Sequence, residues 1–284
     1  MADLVRLDAV VDSFKYPDGT KAMKDIRIQI RKGEFTGILG SNGSGKTTLL
    51  KIMDGLLRDF KGRVLLDGTD IQKLSPKEIY RKMGLIFQNP DDQLFAPTVA
   101  EDVSFGPVNM GYGPEEVAAR VEKALADVEM ADYSHKSIHG LSYGQKKRVC
   151  IAGLLAMGHE ILLLDEPTAG LDPMGEYKMM VLLTRLNREK GVTIVMATHS
   201  VDLVPTFLDR LYILSKGRIL RQGSPEEVFT APHDMAHAKL RLPHVAEMIY
   251  KLKHEDKLPI GKIPLTIGEA RREILRLFEE REKE

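Results

Sequence analysis

Apolar and polar positions alternate with two different periods along this chain. Residues 4–11 and 26–30 alternate apolar and polar side chains, the pattern of half-buried antiparallel strands, and Pro17-Asp18-Gly19 between them carries turn chemistry. Residues 35–39 read as a buried strand that runs straight into a glycine loop. Good helix formers fill 48–57, followed by a strand over 63–66 and an Asp67-Gly68 turn. Between Gln88 and Leu141 the buried-strand pattern disappears and helical spacing replaces it. That spacing is clearest over 114–130, where Val117, Val121, Ala124, Leu125 and Val128 recur, so a helical insertion is predicted.

Alternation of strand and helix then resumes: a strand over 161–164, a helix over 174–190, a strand over 193–197, a helix from Val201 and a strand over 211–215. Such a succession predicts a mostly parallel sheet covered by helices, with ligand at the carboxyl ends of its strands. Past Gly223, Ser224-Pro225-Glu226-Glu227 starts a helix, and the remaining tail is interrupted by Pro232, Pro243, Pro259 and Pro264. Thr266 and Glu269 form a capping-box pair ahead of Ala270, Ile274, Leu277 and Phe278, which share one helical face. That face must pack, either on the chain's own core or on a partner.

Length and charge narrow the picture only partly. The 284 residues allow one large or two smaller domains, and the 41 basic side chains are matched by 41 acidic ones, so no global basic field draws the chain to nucleic acid. No nucleic-acid partner is expected. Cys150 is the only cysteine, which excludes an internal disulfide and a cysteine-based zinc site, fits a reducing compartment and suggests core packing. Residues 1–11 include Asp3, Arg6 and Asp8 and so lack the uninterrupted apolar stretch of a signal peptide. Apolar runs such as 151–158 are far shorter than the roughly 20 residues that cross a bilayer. The expectation is a cytoplasmic chain whose membrane role, if any, comes through a partner.

The candidate chemistry lies in three stretches. Gly40-Ser41-Asn42-Gly43-Ser44-Gly45-Lys46-Thr47 matches the phosphate-binding pattern GxxxxGK[ST] between a predicted strand and a predicted helix, where Thr48 follows. Its glycines let backbone N–H groups turn toward phosphate oxygens, Lys46 supplies charge, and the Thr47 hydroxyl can ligate Mg²⁺. Asp165 and Glu166 end the apolar run 161–164, which delivers two carboxylates to the sheet edge. Asp165 suits a metal held through water, and Glu166 suits orienting or deprotonating an attacking water. LSYGQ, residues 141–145, opens a helix with the hydroxyl, glycine and amide groups of an anion-binding N-terminus. Other groupings are weaker. His233 and His237, four apart, with His244 beyond, fit either metal ligands or a surface helix, and the second is favoured. Lys146-Lys147-Arg148 reads as a short basic run facing phosphate or solvent.

In order and spacing the P-loop, Gln88, LSYGQ, LLLLDEP, Ala169-Gly170-Leu171-Asp172 and His199 resemble ATP-binding-cassette (ABC) ATPases, over about residues 4–230. The resemblance implies a P-loop NTPase α/β fold with a mostly parallel core, an antiparallel β subdomain, a helical subdomain at about 89–158, and a C-terminal helical extension at 231–284. It implies two cassettes head to tail, homodimer or paralogues, with each ATP between one P-loop and the partner's signature motif. Ser142, Gly144, Gln145 and Asp172 would then contact the partner's ATP, Gln88 would sense Mg²⁺ and the attacking water, and His199 would contact the γ-phosphate. Tyr16 resembles the family's adenine-stacking aromatic, with an exposed strand Tyr as the alternative. Tyr143 departs from the usual LSGGQ and could crowd the opposing ATP or point away from it.

Residues 87–95, FQNPDDQLF, with Thr98-Val99 and 101–107, resemble energy-coupling-factor (ECF) transporter ATPases, and QKKRVCIAGLLAM resembles the cobalt-transport branch most. This implies an ATPase at the cytoplasmic face of the cell membrane, docked on an integral membrane scaffold through the segment beyond Gln88, beside a small substrate-capture membrane protein. Cobalt ion is the expected substrate, with nickel or a vitamin as runner-up. A soluble ABC ATPase such as an iron–sulfur-cluster assembly factor is the reading from another class. For the acidic pair in FQNPDDQLF there is also a local expectation, that Asp91 and Asp92 cap a helix near Gln93.

Overall fold

Two sheets meet at the glycine loop in the computed structural model, which describes residues 4–281. The part of the no-leader expectation that rests on Met1, Ala2 and Asp3 lies outside the described residues. In chain order the first half reads β1 (Val5–Lys15), β2 (Lys21–Arg31), β3 (Phe35–Leu39), α1 (Lys46–Met53), β4 (Lys61–Leu66), β5 (Thr69–Asp70), α2 (Pro76–Tyr80), β6 (Met83–Ile86), α3 (Val99–Asn109) and α4 (Pro114–Asp127). The second half reads α5 (Tyr143–Ala156), β7 (Ile161–Asp165), α6 (Pro173–Lys190), β8 (Thr193–Thr198), α7 (Val204–Phe207), β9 (Arg210–Ser215), β10 (Arg218–Gly223), α8 (Pro225–Phe229), α9 (Pro232–His237), α10 (His244–His254) and α11 (Ile267–Arg281).

One sheet is antiparallel, in the order β2-β1-β4-β5. The other runs β10-β9-β3-β8-β7-β6, with β9 through β6 parallel and β10 antiparallel at one edge. Every residue of β3, β6, β7 and β8 is buried, as strands covered on both faces require. The parallel strands therefore end together, and their carboxyl ends carry Gly40, Gln88, Glu166 and His199. Arg6, buried on β1, pairs with Asp67 and reaches Glu160 just before β7 at 2.7 Å, which ties the two sheets. The helical stretch packs as one body: Val103 of α3, Val121 and Leu125 of α4, and Val149 and Cys150 of α5 share a core with β7 and β8. Cys150 is buried as expected, and burial pushes its thiol up to about 12.

Several boundaries differ from the sequence pattern. The helix expected over 48–57 runs over Lys46–Met53, because Gly45 at φ 110° sets its start and Gly55 at φ 76° lets the chain leave the helical path. The helix expected from Val201 is one turn, Val204–Phe207. The 114–130 helix stops at Asp127, with Glu129 at φ 60° turning the chain. Asp91 and Asp92 do not cap a helix. Asn89 does, accepting from Asp91 N–H at 3.2 Å, and the turn it starts is a 3-10 turn over Pro90–Asp92. In the tail, Thr266 and Glu269 make the expected capping box. Ala270, Ile274 and Leu277 pack within the extension on Ile249 and Ile260 of its own chain, while Phe278 is 62 % exposed.

Candidate nucleotide site

The glycine loop wraps the start of α1 as phosphate chemistry requires. Gly40 admits no side chain: a Cβ there would stand 2.4 Å from Ser44 Oγ and 2.5 Å from the Leu214 carbonyl. Gly43 and Gly45 hold φ values of 76° and 110°, which glycine adopts without the steric cost other residues meet. Lys46 is buried and its Nζ donates to Gly40 O at 2.7 Å and Ser41 O at 3.4 Å. The ammonium is thereby curled over the loop it serves. Ser44 is buried with no partner for its hydroxyl.

Across the cleft, β7 ends on the two carboxylates. Thr47 Oγ1 donates to Asp165 Oδ2 at 2.6 Å, while Asp165 Oδ1 is buried with no partner. Burial holds the Asp165 carboxyl above the ordinary range, and the Thr47 hydrogen bond opposes that. Glu166 is 5 % exposed, not a surface carboxylate. Its Oε1 stands 3.2 Å from Lys46 Nζ and 3.0 Å from His199 Nδ1. Glu166 also has φ 50°, a left-handed conformation that costs a non-glycine residue about 1–3 kcal/mol. Three backbone contacts hold it there: its N–H donates to Ala197 O at 3.0 Å, and its carbonyl accepts from Ala169 N–H at 3.1 Å and from Lys147 Nζ at 2.8 Å.

These groups line a cleft of about 640 Å³. Asn42, Gly43, Gly45, Lys46, Thr47, Thr48, Gln88, Asp165 and Glu166 form its phosphate end, and Tyr16 stands at its rim with Oη 2.8 Å from Thr48 Oγ1. Thr20, Lys21, Ala22, Lys216 and Gly217 also line it, and the sequence pattern had singled out none of them. Gly217 donates to Ser44 O at 2.9 Å and accepts from Lys24 N–H at 2.8 Å, so the β9–β10 turn is stitched to both the loop and β2. A signal was available in the Lys216-Gly217 turn dipeptide, but only pairing of β9 with β10 brings it to the phosphate end.

Ser142, Gly144, Gln145 and Asp172 do not line this cleft. Ser142 and Gln145 make a reciprocal capping box at the start of α5, with Gln145 Oε1 accepting from Ser142 N–H at 2.9 Å. Asp172 caps α6, accepting from Gly175 N–H at 2.6 Å. Tyr143 folds back on its own chain: its Oη donates to Gln88 O at 3.2 Å, and its ring lies against Gly170. The basic run is corrected at Lys147, which is 2 % exposed and bound to Glu166 O; Lys146, paired with Asp91 at 2.6 Å, and Arg148, paired with Glu129 at 2.6 Å, stay partly exposed. Helical rotation separates neighbours by about 100°, which puts one of three consecutive lysine or arginine side chains inward. His233 and His237 lie ring to ring at 4.3 Å on the exposed side of α9, whose Met235 is buried, while His244 pairs with Asp202 at 3.1 Å.

A family model described as ABC transporter matches residues 23–169. A putative ABC transporter ATP-binding protein of Geobacter sulfurreducens is 70 % identical over 97 % of this chain and 99 % of its own length. The chain belongs to the ABC transporter ATPases. This ABC ATPase is also 51 % identical to the energy-coupling factor transporter ATP-binding protein EcfA of Methanocaldococcus jannaschii, over 94 % of this chain and 96 % of the relative. Among solved structures it resembles cbiO1 of Clostridium perfringens, part of the ABC transporter complex cbiONQ. The TM-score is 0.76 at 41 % identity, over 88 % of this chain and all of that one. A dimeric ATP-binding cassette in a post-hydrolysis state bound to ADP and Pi is 31 % identical with a TM-score of 0.67, over 78 % of this chain and 98 % of that one. The ABC ATPase binds and hydrolyses ATP, and among its described residues no helix is long and apolar enough to cross a membrane.

Proposed function

We propose that this chain is the ATP-hydrolysing subunit of an ECF-type importer at the cytoplasmic face of the cell membrane, with cobalt ion as the transported substrate. The observation that carries the hydrolytic part is the convergence of Lys46 and His199 on one buried carboxylate oxygen of Glu166 beside the glycine loop. Glu166 Oε1 orients the attacking water and takes its proton, and His199, half exposed beside it, reaches the γ-phosphate. Gly40 to Thr48 cradle the phosphates, Lys46 neutralises them, and Tyr16 receives the adenine at the rim.

Mg²⁺ fits the oxygen donors present: the Thr47 hydroxyl, the unpartnered buried Asp165 Oδ1 and the amide of Gln88. When bound it would neutralise charge on the phosphate oxygens. The placement of Ser142, Gly144, Gln145 and Asp172 away from the chain's own cleft supports a second cassette, a copy or a paralogue, whose nucleotide they complete. The dimeric relative bound to ADP and Pi supports the same arrangement.

The domain division follows the cassette at 1–230, its helical subdomain at about 89–158 and the extension at 231–284. A groove of about 620 Å³ between α3 and α4, lined by Ala100, Val108, Tyr112, Val117 and Val121, suits a coupling helix of a membrane scaffold. Exposed Phe95 and Phe105 lie ring to ring at 4.6 Å and add apolar surface to the segment beyond Gln88. ECF type is supported by the EcfA relatives and by the FQNPDDQLF segment. Cobalt is supported by QKKRVCIAGLLAM and by the likeness to cbiO1. Isolating the native membrane complex and assaying metal uptake tests both points. Copurification of a scaffold and a small capture protein with cobalt uptake is expected; nickel or vitamin uptake would overturn the substrate, and solely soluble partners would overturn the importer.

A further inference from the structure

Glu166 sits in a left-handed conformation that its own residue type disfavours, and one of the contacts that hold its backbone comes from the helical body, Lys147 on α5. Lys147 is buried, its Nζ donates to Glu166 O at 2.8 Å, and the same ammonium lies 5.1 Å from the centre of the Tyr143 ring. Tyr143 in turn donates to Gln88 O and leans on Gly170. Burial pulls Lys147 down to about 8, with Glu166 pulling the other way, so the chain bears a desolvation cost to keep an amine there. A methionine or leucine would fill the same space without that cost.

We propose that Lys147 is a positioning residue for the hydrolytic step, one that fixes the backbone of Glu166 from the helix whose first turn carries the signature motif. It acts through Glu166 of its own chain, although Ser142 and Gln145, at the start of the same helix, serve the partner's nucleotide. The amine holds the carbonyl of Glu166, and with the Ala197 and Ala169 backbone contacts it sets the direction in which the carboxylate points. Without that hold the residue relaxes toward ordinary φ values, and its carboxylate leaves the line of Lys46 and His199. The inference rests on the two-cassette ATPase reading above.

Steady-state ATPase measurements on Lys147→Met and Lys147→Arg test it. Lys147→Met keeps the bulk and removes the donor, so kcat falls about 10–100-fold while KM for ATP stays within about twofold, and Lys147→Arg recovers most of the loss. Unchanged kcat in Lys147→Met, or a change confined to KM, overturns the proposal. If Lys147→Met fails to fold, Lys147→Gln, which keeps a donor on a neutral side chain, takes its place: kcat between wild type and one-tenth of it supports the hold, and kcat equal to a Lys147→Ala chain overturns it. Pairs of differently tagged copies then separate the two sites. Lys147→Met paired with a Lys46→Ala chain loses turnover. A chain carrying both Lys46→Ala and Lys147→Met, paired with wild type, keeps the rate of the Lys46→Ala and wild-type pair. Loss in the second pair overturns the action through the chain's own Glu166. Failure of a Glu166→Gln chain to pair in ATP refutes the two-cassette reading instead, and the kcat comparison of the Met and Arg variants still decides the role of Lys147.

Discussion

Replacing Asp54 by Asn should stabilise the protein near pH 8 and leave it unchanged near pH 4. Asp54 follows α1 directly, is 3 % exposed, and its Oδ1 has no hydrogen-bond partner. Burial pushes its carboxyl from 3.8 up to about 7. The folded chain therefore binds a proton between about pH 4 and pH 7 that the unfolded chain has released. Stability from this group is whole below the unfolded value, falls as pH rises through that window, and is fully lost above the folded value. The full difference corresponds to a ceiling of about 4 kcal/mol at pH 8, since each pH unit between the two values is worth about 1.4 kcal/mol. Asn has the shape of the protonated acid and cannot ionise, so Asp54→Asn matches wild type at pH 4 and gains up to about 4 kcal/mol at pH 8. For a chain of this size a gain of that order raises Tm by roughly 8–16 °C. Thermal unfolding of both proteins at the two pH values, with buffer and nucleotide held constant, reads the effect directly. An equal shift at both pH values would show that Asn acts by packing and would refute the desolvation argument.

Three further outcomes follow from the site. Glu166→Gln should retain binding of a fluorescent ATP analogue and lose turnover by about 10²–10⁴-fold, and full phosphate release would remove Glu166 from the reaction. Ser142→Arg and Lys46→Ala homodimers should each be inactive, while mixing the two restores one intact site, so turnover above both parents is expected and its absence would refute sites shared between chains. Gly40→Ala forces a Cβ to 2.5 Å from the Leu214 carbonyl, and nucleotide affinity should fall well before Tm does, as read by titration against melting.

Much of the site was legible because its chemistry is local. The glycine loop, the apolar run into Asp165 and Glu166, and His199 after β8 each announce themselves within ten residues, and in the structure they converge on Glu166 Oε1. Strand β6, which delivers Gln88, escaped the pattern because it is four residues long with Gly84 inside it. Strand β10 escaped for the opposite reason: RILRQG is mostly polar, as an edge strand is, and only its pairing with β9 makes it a strand. Lys147 was misread because charge along a sequence does not say which side of a helix it occupies, and the partner that draws it inward, Glu166, is 19 residues away. Tyr143 follows the same logic, since its place against Gly170 and Gln88 depends on contacts that no spacing encodes.

The turn at Lys216 and Gly217 looks from the outside like any exposed hairpin, the kind of place chosen for an inserted tag, a fluorophore or a new pair of termini. Its backbone bonds to Ser44 and Lys24, and the 2.2 Å that would separate a Gly217 Cβ from the Ala22 carbonyl, make it unsuitable for all three. A graft there would leave a protein that purifies and melts normally yet has lost its grip on phosphate, so screening such fusions by expression alone would select the wrong ones.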